Sequence, residues 1–195
     1  MHDPRELHMQ AVFHILQYLK SLPGKGLLFS KNVHLQIEVF TDADWAGSTD
    51  DRRCTSGYCT FVGGNLVTWR NKKQNVVVRS SVEAEYRAMA QGVCELLWLQ
   101  KLLKEMRLSE GSKLTLYCDN KASISIAHNP VQHDRTKHVE IDRHFIKEKL
   151  VNDVLSLFHI SSEKQLADVF TKGLNHRTFH AMICKLGMCD IFAPT

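Results

Sequence analysis

Apolar positions recur along this chain with two different periods, and the changes from one period to the other divide it into elements. Val12, Ile15, Leu16 and Leu19 follow the i, i+3, i+4, i+7 spacing of one helix face, which predicts a helix over residues 5–20. Ser21-Leu22-Pro23-Gly24-Lys25-Gly26 stops it. Leu35, Ile37 and Val39 then alternate with Gln36, Glu38 and Phe40, the pattern of a strand with two unlike faces. Asp42 falls at the carboxyl end of that strand, where a turn of small residues begins. The polar run at 48–53 leads to a second strand over Thr55, Gly57, Tyr58, Thr60, Phe61 and Val62. Gly63-Gly64-Asn65 is a hairpin turn signal, and Leu66-Val67-Thr68-Trp69 returns as a third strand. The three strands form an antiparallel meander. Arg70-Asn71-Lys72-Lys73 follows as a basic patch, and Val76-Val77-Val78 resumes an extended segment.

Ser80 to Leu108 carries the strongest helical pattern, with Val82, Tyr86, Met89, Val93, Leu96, Leu97, Leu99, Leu102 and Leu103 on a broad apolar face. Ser80 and Glu83 have the spacing of a capping box. Leu114, Leu116 and Cys118 alternate with Thr115, Tyr117 and Asp119 as a fourth strand. A strand reached through a helical crossover lies parallel to the first. Asn120 to His128 is a short helix stopped by Asn129-Pro130, and Val139 to Asn152 is another. Leu155 to Ile160 is a fifth strand. Ser161 or Ser162 then caps a helix through Leu166, Val169 and Phe170, Gly173 ends it, and a final amphipathic helix covers about Arg177 to Leu186. The pattern predicts an α/β fold with a mixed five-stranded sheet flanked by helices.

Composition narrows the function classes. The 195 residues suffice for one domain with a sizeable core, 44% hydrophobic and 24% charged. A net charge of +4 permits a polyanionic partner without requiring one. No apolar run approaches membrane-spanning length, and the amino end lacks a signal-peptide layout. None of Cys54, Cys59, Cys94, Cys118, Cys184 and Cys189 forms a CxxC pair, so a reduced intracellular protein is expected. There is no Gly-rich phosphate loop and no nucleophile elbow.

Four acidic residues stand out by position. Asp42 ends the first strand, Asp119 ends the fourth, and Glu85 and Asp168 lie in the first turns of helices. If the first and fourth strands are neighbours, Asp42 and Asp119 lie side by side. Close carboxylates raise each other's pKa unless a cation stands between them. Hard oxygen ligands suit magnesium. Two such ions about 3.5–4 Å apart activate water and stabilise the leaving oxygen of a phosphodiester. Each residue also has an ordinary reading. Asp42 and Asp44 fit a turn, Asp119 could cap the helix after it, and Asp168 could pair with Lys172 one turn on. Glu83 has a local task in the capping box and Arg87 at i+4. Glu85 faces Val82, Ala88, Met89 and Gly92, so it needs a partner that a metal would supply. Arg70, Lys72, Lys73, Arg135, Lys137 and His138 fit phosphate contacts or a solvated surface. Ser80 and Ser81 could reach a nucleic-acid backbone or cap their helix. His128, His133 and His138 are evenly spaced, but zinc would want a tighter pair or nearby cysteines.

Several blocks, in order over nearly the whole chain, are recognisable. They are Tyr18-Leu19-Lys20 through Pro23-Gly24-Lys25-Gly26-Leu27, Thr41-Asp42-Ala43-Asp44-Trp45-Ala46-Gly47 and Asp51-Arg52-Arg53-Cys54-Thr55-Ser56-Gly57-Tyr58. Ser80-Ser81-Val82-Glu83-Ala84-Glu85-Tyr86, Tyr117-Cys118-Asp119-Asn120-Lys121, Arg135-Thr136-Lys137-His138 and Gln165-Leu166-Ala167-Asp168-Val169-Phe170-Thr171-Lys172 follow. The chain resembles the ribonuclease H domain of the Pol polyprotein of copia-type (Pseudoviridae-like) LTR retrotransposons, especially plant ones. Cys54 stands where relatives often have Ser.

The resemblance implies a ribonuclease H-like fold, with strands four and five parallel to strand one. It implies two magnesium ions, replaceable by manganese, held by Asp42, Glu85, Asp119 and Asp168. The activity implied is hydrolysis of the RNA strand of RNA–DNA hybrids, leaving 5′-phosphate ends. Ser80, Ser81, Asn120 and the basic residues above would contact nucleic acid, and His138 would be a candidate for proton handling. Residues 1–30 would end the connection from a reverse transcriptase, a partner in the same polyprotein. Residues 31–174 would form the ribonuclease H domain, and 175–195 a helical extension. The expected location is the element's cytoplasmic particle, or the nucleus for a domesticated copy, with no membrane involved. The alternatives are a non-catalytic or domesticated nucleic-acid-binding domain and a nuclease of the same fold acting on duplex DNA.

Overall fold

The computed structural model describes residues 3–108, 113–129 and 140–192. It begins with α1 (Glu6–Ser21), β1 (Lys25–Leu27), β2 (Ile37–Asp44), β3 (Thr55–Val62), β4 (Asn65–Lys73), α2 (Ser81–Glu105), β5 (Leu114–Cys118) and α3 (Lys121–His128). There follow α4 (Glu140–Val151), β6 (Leu155–His159), a 3₁₀ turn (Ser162–Lys164), α5 (Asp168–Thr171), α6 (His176–Lys185) and β7 (Met188–Asp190).

Five strands form one mixed sheet in the order β4-β3-β2-β5-β6. β2, β3 and β4 are the expected antiparallel meander. Its hairpin turns on Gly63 and Gly64, at φ 57° and 77°, a left-handed pair that suits the twist of the strands. β5 is parallel to β2 and β6 to β5, because each is reached through helices that cross over the sheet.

Side-chain alternation sends the two faces of the sheet into different layers. Ile37 and Val39 join Met89, Val93 and Leu96 of α2 and Leu114 and Leu116 of β5 in one core. Cys59, Phe61 and Leu66 meet Leu166, Met182 and Leu186 in a second core on the opposite face. Each large side chain so buried contributes roughly 1.5–3 kcal/mol, so the sheet is held from both sides.

Several boundaries depart from the sequence pattern. β2 does not end at Asp42 but pairs with β3 as far as Asp44 opposite Thr55. β4 continues to Lys73, so Arg70, Lys72 and Lys73 lie on an edge strand rather than in a loop. α2 stops at Glu105, and Arg107 at φ 58° turns the chain out of it. The helix expected from Ser161 to Phe170 is two pieces, a 3₁₀ turn and the four-residue α5. The break falls at Gln165, whose fully buried amide donates to the Thr41 carbonyl at 2.9 Å. A second small sheet pairs β1 with β7, three residues each, too short to leave a periodic signal. It joins the segments that the sequence divides as 1–30 and 175–195. The apolar residues of α1 stay largely exposed, although Tyr18 meets Phe179 of α6 edge to face. No helix among the described residues is long and apolar enough to cross a membrane.

Candidate metal centre

The site begins where two pairings of β2 end at different places. On one side β2 follows β3 to Asp44, but on the other it pairs with β5 only from Glu38 to Phe40. Thr41, Asp42 and Ala43 therefore have an open flank beside the end of β5. Ligands in open α/β sheets collect outside such strand ends.

Four segments converge on this flank. Asp119 directly follows β5, and its Oδ2 accepts from Ser162 Oγ at 2.9 Å. It does not cap α3; Asn120 does, through Ser123 N at 3.0 Å. Glu85, 5% exposed, reaches from the first turns of α2 and accepts from Ala43 N at 3.3 Å. Asp42 is also buried, and the end of α5 and the residue after it occupy both of its oxygens: Thr171 Oγ1 donates to Oδ2, and Lys172 Nζ donates to Oδ1 at 3.1 Å. The same ammonium lies 2.8 Å from Asp168 Oδ1. The i, i+4 pair expected as the ordinary reading of Asp168 thus exists and extends to a third residue.

One oxygen each from Asp42, Asp119 and Asp168 lie within 4.8 Å of one another. Ligand atoms of Glu85, Cys118 and Asp119 form a second such group, so Asp119 belongs to both. An open pocket of about 440 Å³ is lined by Asp42, Glu85, Asp119, Asn120, Lys121, His159 and Lys172, among others. Asp44, two residues after Asp42 on the same strand, joins neither group. Its carboxylate lies over the backbone of Gly47, 1.8 Å from where a β-carbon there would stand.

Burial sets the electrostatics. It pushes the Glu85 carboxyl up to about 9, with help from the charges of Asp42 and Asp119. It raises Asp168 to about 6 against the opposing hydrogen bond from Lys172. Asp42 is also raised by burial, although Thr171 and Lys172 work the other way. Burial alone would lower Lys172, but the hydrogen bond to Asp168 and the charges of Asp42 and Asp168 raise it. An all-carboxylate oxygen set that resists its own ionisation fits a hard divalent cation, which would restore the charge balance.

A stability dependence follows. Glu85 and Asp168 bind protons more tightly folded than at their ordinary values of 4.5 and 3.8. The folded state then holds more protons than the unfolded one between those values and about 9, so stability falls as pH rises through that interval. In chelator, the thermal midpoint is expected to be lower at pH 8.5 than at pH 5.5. Glu85→Gln should flatten that slope, as calorimetry at the two pH values would register. An unchanged slope in the variant contradicts the assignment to Glu85.

The remaining sequence candidates are scattered. Ser80 caps α2 by accepting from Glu83 N at 3.2 Å, while Glu83 returns to Arg79 N at 2.9 Å instead of Ser80 N. Ser81 is exposed at the start of the same helix. Arg70 and Lys72 are exposed on β4. Lys73 is engaged by Ser48 at 2.9 Å and Asp51 at 3.2 Å. His128 joins no metal-ligand group among the described residues. His133, Arg135, Lys137 and His138 lie outside the described residues. Sequence reasoning gave no site role to Gln165, Thr171, Ser162 or His159, and it gave Lys172 only its pairing with Asp168; Ser162 stood there as a possible helix cap. His159 ends β6 opposite Cys118, which places it at the rim of the pocket.

Comparison with known proteins gives the chain its kin. No protein-family model matches it. It is 40% identical over 191 residues to the retrovirus-related Pol polyprotein from transposon RE1 of Arabidopsis thaliana, covering 98% of this chain and 13% of that polyprotein. It is 33% identical over 185 residues to the counterpart from transposon TNT 1-94 of Nicotiana tabacum, covering 95% of this chain and 14% of the relative. The chain therefore spans about one-seventh of these relatives or less. In structure it is similar to LC11-RNase H1, solved in complex with an RNA/DNA hybrid, with a TM-score of 0.51. That likeness has 17% identity and covers 70% of this chain and 94% of the other, which speaks to the fold.

Proposed function

We propose, because the chain belongs with the Pol polyproteins of plant copia-type retrotransposons and has a ribonuclease H fold, that it is a metal-dependent endonuclease cutting the RNA strand of RNA–DNA hybrids. The observation that carries this reading is the approach of the Asp42, Asp119 and Asp168 oxygens, with Glu85 beside Asp119 and with Asp42, Glu85 and Asp119 lining an open pocket.

Magnesium, or manganese in its place, suits this donor set and would supply activation of water and stabilisation of the departing 3′-oxygen. Asp42, Glu85, Asp119 and Asp168 would hold the ions. The chain's other residues orient these four. Ser162 and the Ala43 amide hold Asp119 and Glu85, and Gln165 holds the Thr41 peptide next to Asp42. Glu85 gives up its proton when the site gains positive charge. His159, at the rim, takes the proton-handling role that the sequence offered to His138. Arg70, Lys72, Ser81 and Asn120 serve as contacts to sugar and phosphate. Products carry 5′-phosphate and 3′-hydroxyl ends. Residues 31–174 act as the ribonuclease H domain after the reverse transcriptase of the same polyprotein, in the cytoplasmic particle of the element.

The test is a labelled RNA–DNA hybrid beside duplex DNA, each with magnesium and with chelator. The expected result is cleavage of the RNA strand in magnesium, none in chelator, and intact duplex DNA. Cleavage of duplex DNA would move the reading to a different nuclease. Hybrid binding without cleavage would favour a non-catalytic domain.

A further inference from the structure

We propose that Lys172 is a built-in counter-ion which a divalent cation displaces from Asp42 and Asp168, so that ion entry and release of the ammonium are one exchange. The inference rests on the reading above that these carboxylates take an ion.

The geometry carries it. Lys172 Nζ stands 3.1 Å from Asp42 Oδ1 and 2.8 Å from Asp168 Oδ1. The two carboxylates that it joins also share, with Asp119, the group whose oxygens lie within 4.8 Å of one another. An ion bound to oxygens at about 2.0–2.1 Å would share that small volume with the ammonium, and the two cations would repel. The Asp42 and Asp168 side chains are only 2% and 9% exposed, so neither can turn to water for relief. Lys172 can move instead. Its side chain is 36% exposed and its backbone has already left the helix, at φ −119° and ψ 147°. Gly173 follows, with no atom within 4 Å of the place a β-carbon would take. A flexible four-carbon stem on such a hinge can withdraw its charge without unfolding α5. Without that charge, the Asp42 carboxylate would keep the Thr171 hydroxyl as its side-chain donor among the described residues.

Lys172→Met keeps most of the stem and removes the charge. Calorimetric titration of the chelator-stripped chain with magnesium is expected to give about tenfold tighter binding in the variant, because no resident cation opposes entry. The thermal midpoint of the variant should fall in chelator yet approach that of the parent in saturating magnesium. Equal or weaker magnesium binding overturns the exchange, as does the same loss of stability with and without magnesium. A second measurement uses the parent chain alone, in case the variant folds poorly. The ¹⁵N-ammonium signal of Lys172, restrained by its ion pairs in chelator, should become mobile as magnesium is added. A signal unmoved at saturation overturns the proposal. If the parent takes up no magnesium at all, the metal-site reading fails with it. If parent and variant take up magnesium alike, only the exchange fails.

Discussion

Replacing Asp119 with Asn is expected to reduce magnesium-dependent cleavage of an RNA–DNA hybrid by at least about a hundredfold while the fold survives. Asp119 is the residue common to both groups of converging ligand atoms, so its loss opens both. An amide carries no charge and offers a single oxygen to a hard cation. The fold should tolerate the change. Asp119 is only half-buried, the cap of α3 belongs to Asn120, and the amide oxygen of the new side chain can still accept from Ser162. Initial rates on labelled hybrid, read beside thermal unfolding of both proteins, separate loss of chemistry from loss of structure. Cleavage at nearly the parent rate in Asp119→Asn would remove this residue from the site.

Gly57→Ala is the second large expected effect, and it acts through packing. Gly57 lies on β3 directly opposite Asp42. A β-carbon there would stand 2.7 Å from Thr171 Cγ2 and 2.9 Å from Phe170 Cβ. The latter is fixed to the backbone of α5, so the clash cannot be relieved by turning a side chain. That backbone is also pinned from β4, where Asn71 Nδ2 donates to the Phe170 carbonyl. α5 must therefore shift as a body, and it carries Asp168 and Thr171, with Lys172 directly after it. Overpacking of this kind costs about 1–3 kcal/mol. A displacement near 1 Å at reacting groups costs about a hundredfold in rate. The expected result is a lowered thermal midpoint together with a loss of cleavage that saturating magnesium does not rescue. An unchanged midpoint and rate would show that α5 does not press on β3.

Two carboxylate positions were legible, because Asp119 follows a period-two run that ends where expected and Glu85 sits on a face otherwise apolar or small. Asp42 was legible as a residue of the first strand but not as its end, since pairing with β3 runs on to Asp44. The meander and the crossover were legible for the same reason, since a Gly-Gly turn and a long helix constrain what their neighbours can pair with. The Gln165 break was not legible. Leu166, Val169 and Phe170 keep helical spacing through it, and only the demand of the Thr41 carbonyl, 124 residues earlier in the chain, pulls the segment out of a continuous helix. A backbone acceptor beyond the last β2–β5 pair has to find a donor, and local periodicity cannot say which one.

The same distinction holds for charge. By itself the sequence determined which residues can be buried and which face of each element they occupy, since burial follows from periodicity and from the cost of leaving apolar groups in water. It also marked Lys172 as one turn from Asp168. Only the tertiary structure decided that this lysine reaches Asp42 as well, that Asn120 rather than Asp119 caps α3, and that Asp44 turns away over Gly47. Those outcomes depend on distances between segments far apart in the chain, and electrostatic and hydrogen-bond energies fall off over a few ångströms. No pattern within one segment contains those distances; they exist only once β2, β5 and α5 are packed together.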